Sequence, residues 1–232
     1  MDRENQLRHF LKNHPGARVL PEQAVKEFLR EAGLPAPRSL YLPVGTPFPD
    51  LSGLDYPLVA KVFSAKIRSK TDVGGIRFDL QDAAAAAAAC SDLMEIRDVE
   101  GVILEEQVRP GTEVIVGGIV DPQFGPVVMF GLGGIFVELF QDVAFALAPL
   151  TRAEAFQLMA QLKGYRLLTG YRSAVPCDLE SLADILVTVS ELMATGLLEE
   201  IDLNPVALYP DGAMILDAKM LVALSSPHDS SP

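Results

Sequence analysis

Between Lys61 and Arg77 the chain gathers five basic side chains, Lys61, Lys66, Arg68, Lys70 and Arg77, against one acid, Asp72. The rest of the sequence makes this unusual: 232 residues carry 19 Lys and Arg against 31 Asp and Glu, a formal net charge of −12. An even spread would put roughly one or two basic residues in such a window. Gly74 and Gly75 lie within it, together with Ser64, Ser69 and Thr71. Free amides on a pliable backbone, flanked by ammonium groups, are what a polyphosphate requires. Lys61 stands apart, because it lies inside the apolar run PLVAKVF (57–63). A buried lysine is costly unless it is paired or turned toward a ligand. The plain alternative is a solvated basic loop with Lys61 at a strand end, and spacing alone does not choose between the two.

A second set of groups lies near the C-terminus. IDLNPVAL and AMILDAKM flank Tyr209-Pro210-Asp211-Gly212, a strong turn signal. If Tyr209 opposes Gly212, the numbers of paired residues sum to 421. Asn204 then lies across from Asp217, and Asp202 across from Lys219, on one face. An amide carbonyl beside a carboxylate is a hard-oxygen pair suited to Mg²⁺. A bulge at Gly212 would shift the sum to 422 and spoil the alignment. A turn-capping Asn and a structural salt bridge are the bland reading.

Weaker candidates surround these. Gly131-Leu132-Gly133-Gly134 has the look of a phosphate loop, though such glycines also permit tight strand packing. Glu138 and Asp142 stand on an apolar background as metal-facing or rim charges, and Glu105, Glu106 and Glu113 flank a turn as ordinary surface carboxylates would. The histidines, His9, His14 and His228, lie at the chain ends. A Ser/His/Asp or Cys/His catalyst, or a histidine-ligated metal in the core, is therefore disfavoured. Cys90 and Cys177 form no CxxC pair, which suits a reducing, cytoplasmic setting and excludes a disulfide scaffold. A surface this acidic repels phosphate backbones, so no nucleic acid and no anionic membrane is expected as a partner. The polar start gives no signal peptide, and the apolar stretch 114–137 is too broken by Pro122, Pro126 and glycines to span a bilayer.

These groups need elements to hold them. Residues 21–32 read as a helix with Gly33 as its stop, and a Pro-rich connection follows. Residues 57–63, 75–80 and 101–108 read as strands, and Asp82 leads seven alanines into a helix running to about Arg97. The stretch VIVGGIV–DPQFG–PVVMFG reads as two buried strands around a turn. Thr151 and Glu154 fit a capping box opening a helix to about Leu162, and residues 178–193 form a second long amphipathic helix. The last two strands surround Pro210-Asp211, and the tail SSPHDSSP is expected to be disordered. Interspersed strands and helices give an α+β (α/β) class with two lobes.

Taken together, LPEQAVKEFLREAGLPAP, YPLVAKV, SKTDVGG, GTEVIVGGIVDPQFGPVVMFGLGGIFVELFQDV, LAPLTRAEA and EIDLNP…DAK resemble the β subunit of the NDP-forming acyl-CoA synthetases. These are members of the ATP-grasp superfamily. The resemblance covers 18–222, leaving 1–17 as an N-terminal extension and 223–232 as a tail. It implies an ATP-grasp fold of two lobes gripping a nucleotide, with a small lobe inserted at roughly 34–107. The implied reaction moves a phosphoryl group between Mg²⁺-bound ADP or ATP and a phosphohistidine loop on a CoA-binding α subunit, in a hetero-oligomer such as a heterotetramer.

Carried onto this sequence, the resemblance assigns Lys61 to the nucleotide phosphates. Lys70, Gly74 and Gly75 fall in the loop covering those phosphates. Glu105, Glu106 and Val108 lie on the hinge strand whose backbone reads adenine, and Glu113 near the ribose. Asn204 and Asp217 match the Mg²⁺ pair, and Asp202 the acid that steadies the phosphohistidine. The family pattern has a histidine where this chain has Ser69, and a glycine where it has Ser173. Serine cannot carry a phosphoryl group as imidazole does. The resemblance therefore implies direct transfer from the partner's phosphohistidine, an altered activity or a nucleotide-sensing role. A stand-alone ATP-grasp carboxylate ligase is a further possibility.

Overall fold

The computed structural model describes residues 2–64, 66–67, 69–134, 141–172 and 175–223. Arg68, Glu138, Ser173 and the tail from 224 onward lie outside the described residues. The chain divides into two compact units, a frame of Met1–Ala36 with Pro110–Pro232 and an insert of Pro37–Arg109.

The frame opens with α1 (Arg3–Lys12) and α2 (Glu22–Glu31). Helix α2 buries Val25, Phe28 and Leu29, the spacing of one helical face, and ends before Gly33, whose φ is +86°. Its sheet comprises β5 (Thr112–Asp121), β6 (Gly125–Leu132), β7 (Val143–Leu147), β8 (Leu198–Tyr209), β9 (Gly212–Ile215) and β10 (Ala218–Val222). The order is β10-β8-β5-β6-β7, with β9 also paired to β8, and every pairing is antiparallel. The helices α4 (Arg152–Ala160), α5 (Tyr165–Leu168) and α6 (Leu179–Ala194) lie between β7 and β8 in the chain. Thr151 and Glu154 complete a capping box on α4, and Asp178 caps α6 by accepting from the amides of Glu180 and Ser181.

Helix α6 packs on β5 and β6 and supplies much of the frame core. The approach is close at Gly118, where a β-carbon would lie 2.4 Å from Met193 Cγ. Odd-numbered Ile201 and Leu203 of β8 enter this core. By strand alternation Glu200, Asp202 and Asn204 are turned to the opposite face.

The insert holds β1 (Ser39–Pro43), β2 (Leu58–Phe63), β3 (Ile76–Leu80) and β4 (Gly101–Glu106), in the order β1-β4-β2-β3, with α3 (Ala83–Met94). Asp82 caps α3 at Ala85 N–H. Its Ala86, Ala89, Cys90 and Leu93 bury a narrow stripe, so the alanine run serves close packing of helix on sheet. Leu58, Ala60 and Val62 share that core with Val102 and Leu104. Val59, Lys61, Ile103 and Glu105 therefore occupy the sheet's other face.

Candidate active site

The expected site residues fall in both units. In the insert, β2 presents Lys61 on the face away from α3, diagonally across the ladder from Glu105: Val59 pairs with Glu105 and Lys61 with Ile103. Lys61 Nζ and Glu105 Oε1 form an ion pair, with side chains 13% and 3% exposed. The carboxylate offsets the cost of holding an ammonium inside an apolar strand. Glu105 is thus a buried partner, not the surface acid that its position beside a turn implied.

Beyond Lys61 the basic segment folds into a compact turn. Gly75 N–H donates to Lys70 O at 2.7 Å and Gly74 N–H to Thr71 O at 3.0 Å. Gly74 has φ +63°, a conformation that favours glycine. At Gly75 a β-carbon would meet Val62 Cγ2 at 2.5 Å and Lys70 O at 2.9 Å. Ser69 Oγ accepts from Asp72 N–H at 3.3 Å, so the serine closes the turn at its start. Arg77 is spent on the same turn, donating to Gly74 O at 2.7 Å and Ile76 O at 3.0 Å. Lys66 pairs with Asp98 at 3.4 Å. The local excess of positive charge is thereby trimmed by acids distant in sequence, Asp98 and Glu105.

At the end of β4, Glu106 uses its carboxylate on Arg38 and on Asp55 N–H. Glu106 and, to a lesser degree, Asp55 push the Arg38 pKa up. The amides of Glu106 and Gln107 donate to Arg38 O (3.1 Å) and Pro57 O (2.9 Å). For Val108 N–H no backbone acceptor occurs among the described residues. Arg38 and Asp98 therefore shape the site carboxylates and the basic turn, yet no local pattern in the sequence marks them.

In the frame, β8 and β9 pair Tyr209 with Gly212 and Val206 with Ile215, the 421 register without the bulge. The same sum continues into β10, with Lys219 opposite Asp202 and Ala218 opposite Leu203. Between them Asn204 N–H donates to Asp217 O at 3.2 Å. Asp202 lies one step along the same face. Burial raises its pKa most, the carboxylates of Glu200 and Asp217 raise it further, and Lys219 opposes them. The Lys219 ammonium lies 3.8 Å from Glu200, diagonal to its register partner. The mutual repulsion of Asp202, Glu200 and Asp217 is of the kind a divalent cation relieves, and an amide and a carboxylate are hard-oxygen donor types. No cluster of three or more His, Cys, Asp or Glu of metal-holding geometry occurs among the described residues. Asn204 and Asp217 would thus supply two oxygens, leaving the other positions to water and phosphate, as Mg²⁺ prefers.

Glu113 is exposed on β5 opposite Ala207. Gly133 packs on its backbone: Gly133 N–H donates to Glu113 O at 2.7 Å, and a β-carbon there would lie 2.8 Å from Glu113 C. Of the two readings of these glycines, close strand packing is the one that Gly133 displays. Asp142 is buried, accepting from the amides of Lys163 (2.9 Å) and Gly164 (2.8 Å), so it holds a turn between helices.

Two all-antiparallel sheets, the smaller carried on a segment inserted into the chain of the larger, define the class of fold. An ATP-grasp domain profile matches residues 12–222, and the chain belongs to the ATP-grasp domain family. It is 38% identical over 232 residues to the β subunit of acetate–CoA ligase [ADP-forming] I of Pyrococcus furiosus, covering 96% of this chain and 100% of that one. A structure of the dinucleotide-forming acetyl-coenzyme A synthetase 1 of Ca. Korarchaeum cryptofilum matches with a TM-score of 0.82 at 33% identity, over 95% of this chain and 99% of that one. That structure holds coenzyme A and Ca-AMPCP. A second structure of the same enzyme, with a TM-score of 0.79 at 33% identity over 95% and 100%, holds coenzyme A and Mg-AMPPCP. Its phosphohistidine segment points towards the nucleotide binding site. The fold class and the family resemblance expected from the motifs are those the chain has. Among the described residues no helix is long and apolar enough to cross a membrane.

Proposed function

We propose that this chain is the nucleotide-binding β subunit of an ADP-forming acyl-CoA synthetase, acting in the cytoplasm with a CoA-binding α subunit. The observation that carries this reading is the register that sets Asn204 beside Asp217 one step from Asp202. In this reading Asn204 and Asp217 are the metal pair, and Asp202, an acid of raised pKa, lies on the same sheet face.

In this reading Lys61 and Lys70 neutralise the nucleotide phosphates, and the turn ending in Gly74 and Gly75 covers them. The Val108 amide is the donor for the base edge, with Glu105 and Glu106 fixing that strand, and Glu113 approaches the ribose. Asn204 and Asp217 would hold Mg²⁺, which when bound supplies charge neutralisation at the phosphates. Asp202 accepts a hydrogen bond from the partner's imidazole and holds it in line. A phosphate oxygen of ADP forms the new P–O bond as the P–N bond of the phosphohistidine breaks, and the imidazole leaves neutral. Such chemistry rests on positioning and charge stabilisation.

The test is to mix the chain with its α subunit and labelled ATP. Label on an α-subunit histidine, lost on adding ADP, supports the reading, and its absence with tight Mg·ATP binding sinks it. That second outcome belongs to a nucleotide sensor, the reading favoured by Ser69, whose hydroxyl closes a turn where the resembling family has a histidine.

A further inference from the structure

Lys26 of α2 has a fully buried side chain. Its ammonium lies 2.8 Å from Glu22 Oε1, one helical turn back on the same helix, and donates to Leu216 O at 2.6 Å. An apolar side chain would fill that volume without the desolvation of an ammonium and a carboxylate. The charge therefore calls for an account in terms of what it touches.

Leu216 occupies the corner between β9 and β10, immediately before Asp217. The ladder pairs end at Ile215 and resume at Ala218, so the corner has to be held by other bonds. Leu216 N–H donates to Pro205 O at 3.0 Å, next to Asn204. Ile215 N–H donates to Pro35 O at 2.8 Å, and the Leu216 carbonyl takes the Lys26 ammonium. The corner is thus gripped from β8 on one side and from α2 on the other, and the peptide that Lys26 holds is the one leading into Asp217.

We propose that Lys26, braced by Glu22, is a positioning residue for the Asn204–Asp217 pair. It fixes the Leu216–Asp217 peptide, so that the Asp217 carboxylate stands ready beside Asn204 for a divalent cation. The inference rests on reading that pair as the metal site, and it adds a strut about which the metal reading itself says nothing.

The test uses the full chain with ADP and Mn²⁺, following free Mn²⁺ by electron paramagnetic resonance, and ADP affinity without metal by calorimetry. Lys26→Met is expected to fold and to weaken Mn²⁺ binding by about tenfold, the scale of losing an outer support of a metal ligand, while metal-free ADP affinity stays. A general structural defect would lower both. A folded Lys26→Met protein with wild-type Mn²⁺ affinity overturns the proposal. Should that variant fail to fold, Glu22→Gln, which leaves the ammonium without its brace, is read by the same comparison: weaker Mn²⁺ binding supports the strut, unchanged binding overturns it. Asp217→Asn separates the two layers. If it too leaves Mn²⁺ affinity unchanged, the metal reading fails and the strut with it. If it weakens Mn²⁺ binding where Lys26→Met does not, the strut alone is wrong.

Discussion

Lys61 on β2 and Glu105 on β4 close a buried ion pair diagonally across one face of the insert's sheet. Each group is placed by the other, and neither can be deleted without leaving a charge in a poorly hydrated setting. Lys61→Ala is therefore expected to cost about 3–5 kcal/mol of stability in addition to any lost ligand contact. Lys61→Met combined with Glu105→Leu should recover most of that stability in urea denaturation, yet not Mg·ATP affinity. Recovery of both would mean that Lys61 serves the fold alone.

The glycine turn makes a sharper prediction. Gly75→Ala puts a methyl against Val62 and the Lys70 carbonyl, whereas Gly74→Ala meets open space and carries only the burden of a positive φ. The Gly74 change should cost about 1 kcal/mol. The Gly75 change should be worse in both thermal stability and ATP affinity. Equal effects of the two substitutions would refute the packing argument.

In the frame, Gly118→Ala drives a β-carbon into Met193. Overpacking of this kind costs about 1–3 kcal/mol, and Met193→Ala should relieve it. A double-mutant cycle in chemical denaturation measures the coupling. Additive losses would show that α6 shifts freely instead.

Burial pushes the Cys90 thiol up to about 11 from its ordinary value of 9.0. Between those values the unfolded chain releases the proton while the fold retains it, so the unfolded state binds fewer protons. Stability contributed by this thiol is accordingly complete below the ordinary value and falls as pH rises through the window. Urea midpoints at pH 8 and pH 10.5 should drop further for the wild type than for Cys90→Ala. An identical drop would remove Cys90 from the account.

Much of this architecture follows from periodicity and turn chemistry. Asp82 ahead of the alanines, Thr151 with Glu154, and the Asp121–Gly125 turn each declare an element through local bonding that the fold keeps. The tight turn at Pro210-Asp211 leaves two alignments open in the sequence, 421 and 422, and the fold adopts the first. Elements defined by distant partners are not legible in this way. Ser39–Pro43 reads as part of a proline-rich connection but is a strand because β4 pairs with it, and Val143–Leu147 is an edge strand whose Phe145 and Leu147 remain exposed. The polar helix α1 is marked by little more than Leu7 entering the core. AMILDAKM reads as one strand and divides at Leu216, where bonds to Pro205 and Lys26 replace the ladder.

Charge arithmetic failed for the same reason. Counting residues 61–77 alone gives a strongly positive segment, but Asp98 and Glu105 reach it from elsewhere in the chain. Proximity in sequence identified the cations, and only the folded chain supplies their counterions.

Arg38 and Glu106, at the two ends of the insert, are joined by a 3.1 Å backbone bond as well as by their side chains. The insert thus begins and finishes at one place, like a bead closed by its own clasp. Such a segment, with its own core and closed ends, is suited to being cut out and made separately. The clasp makes the insert's two ends a single joint, so a change at Arg38 or Glu106 loosens both at once.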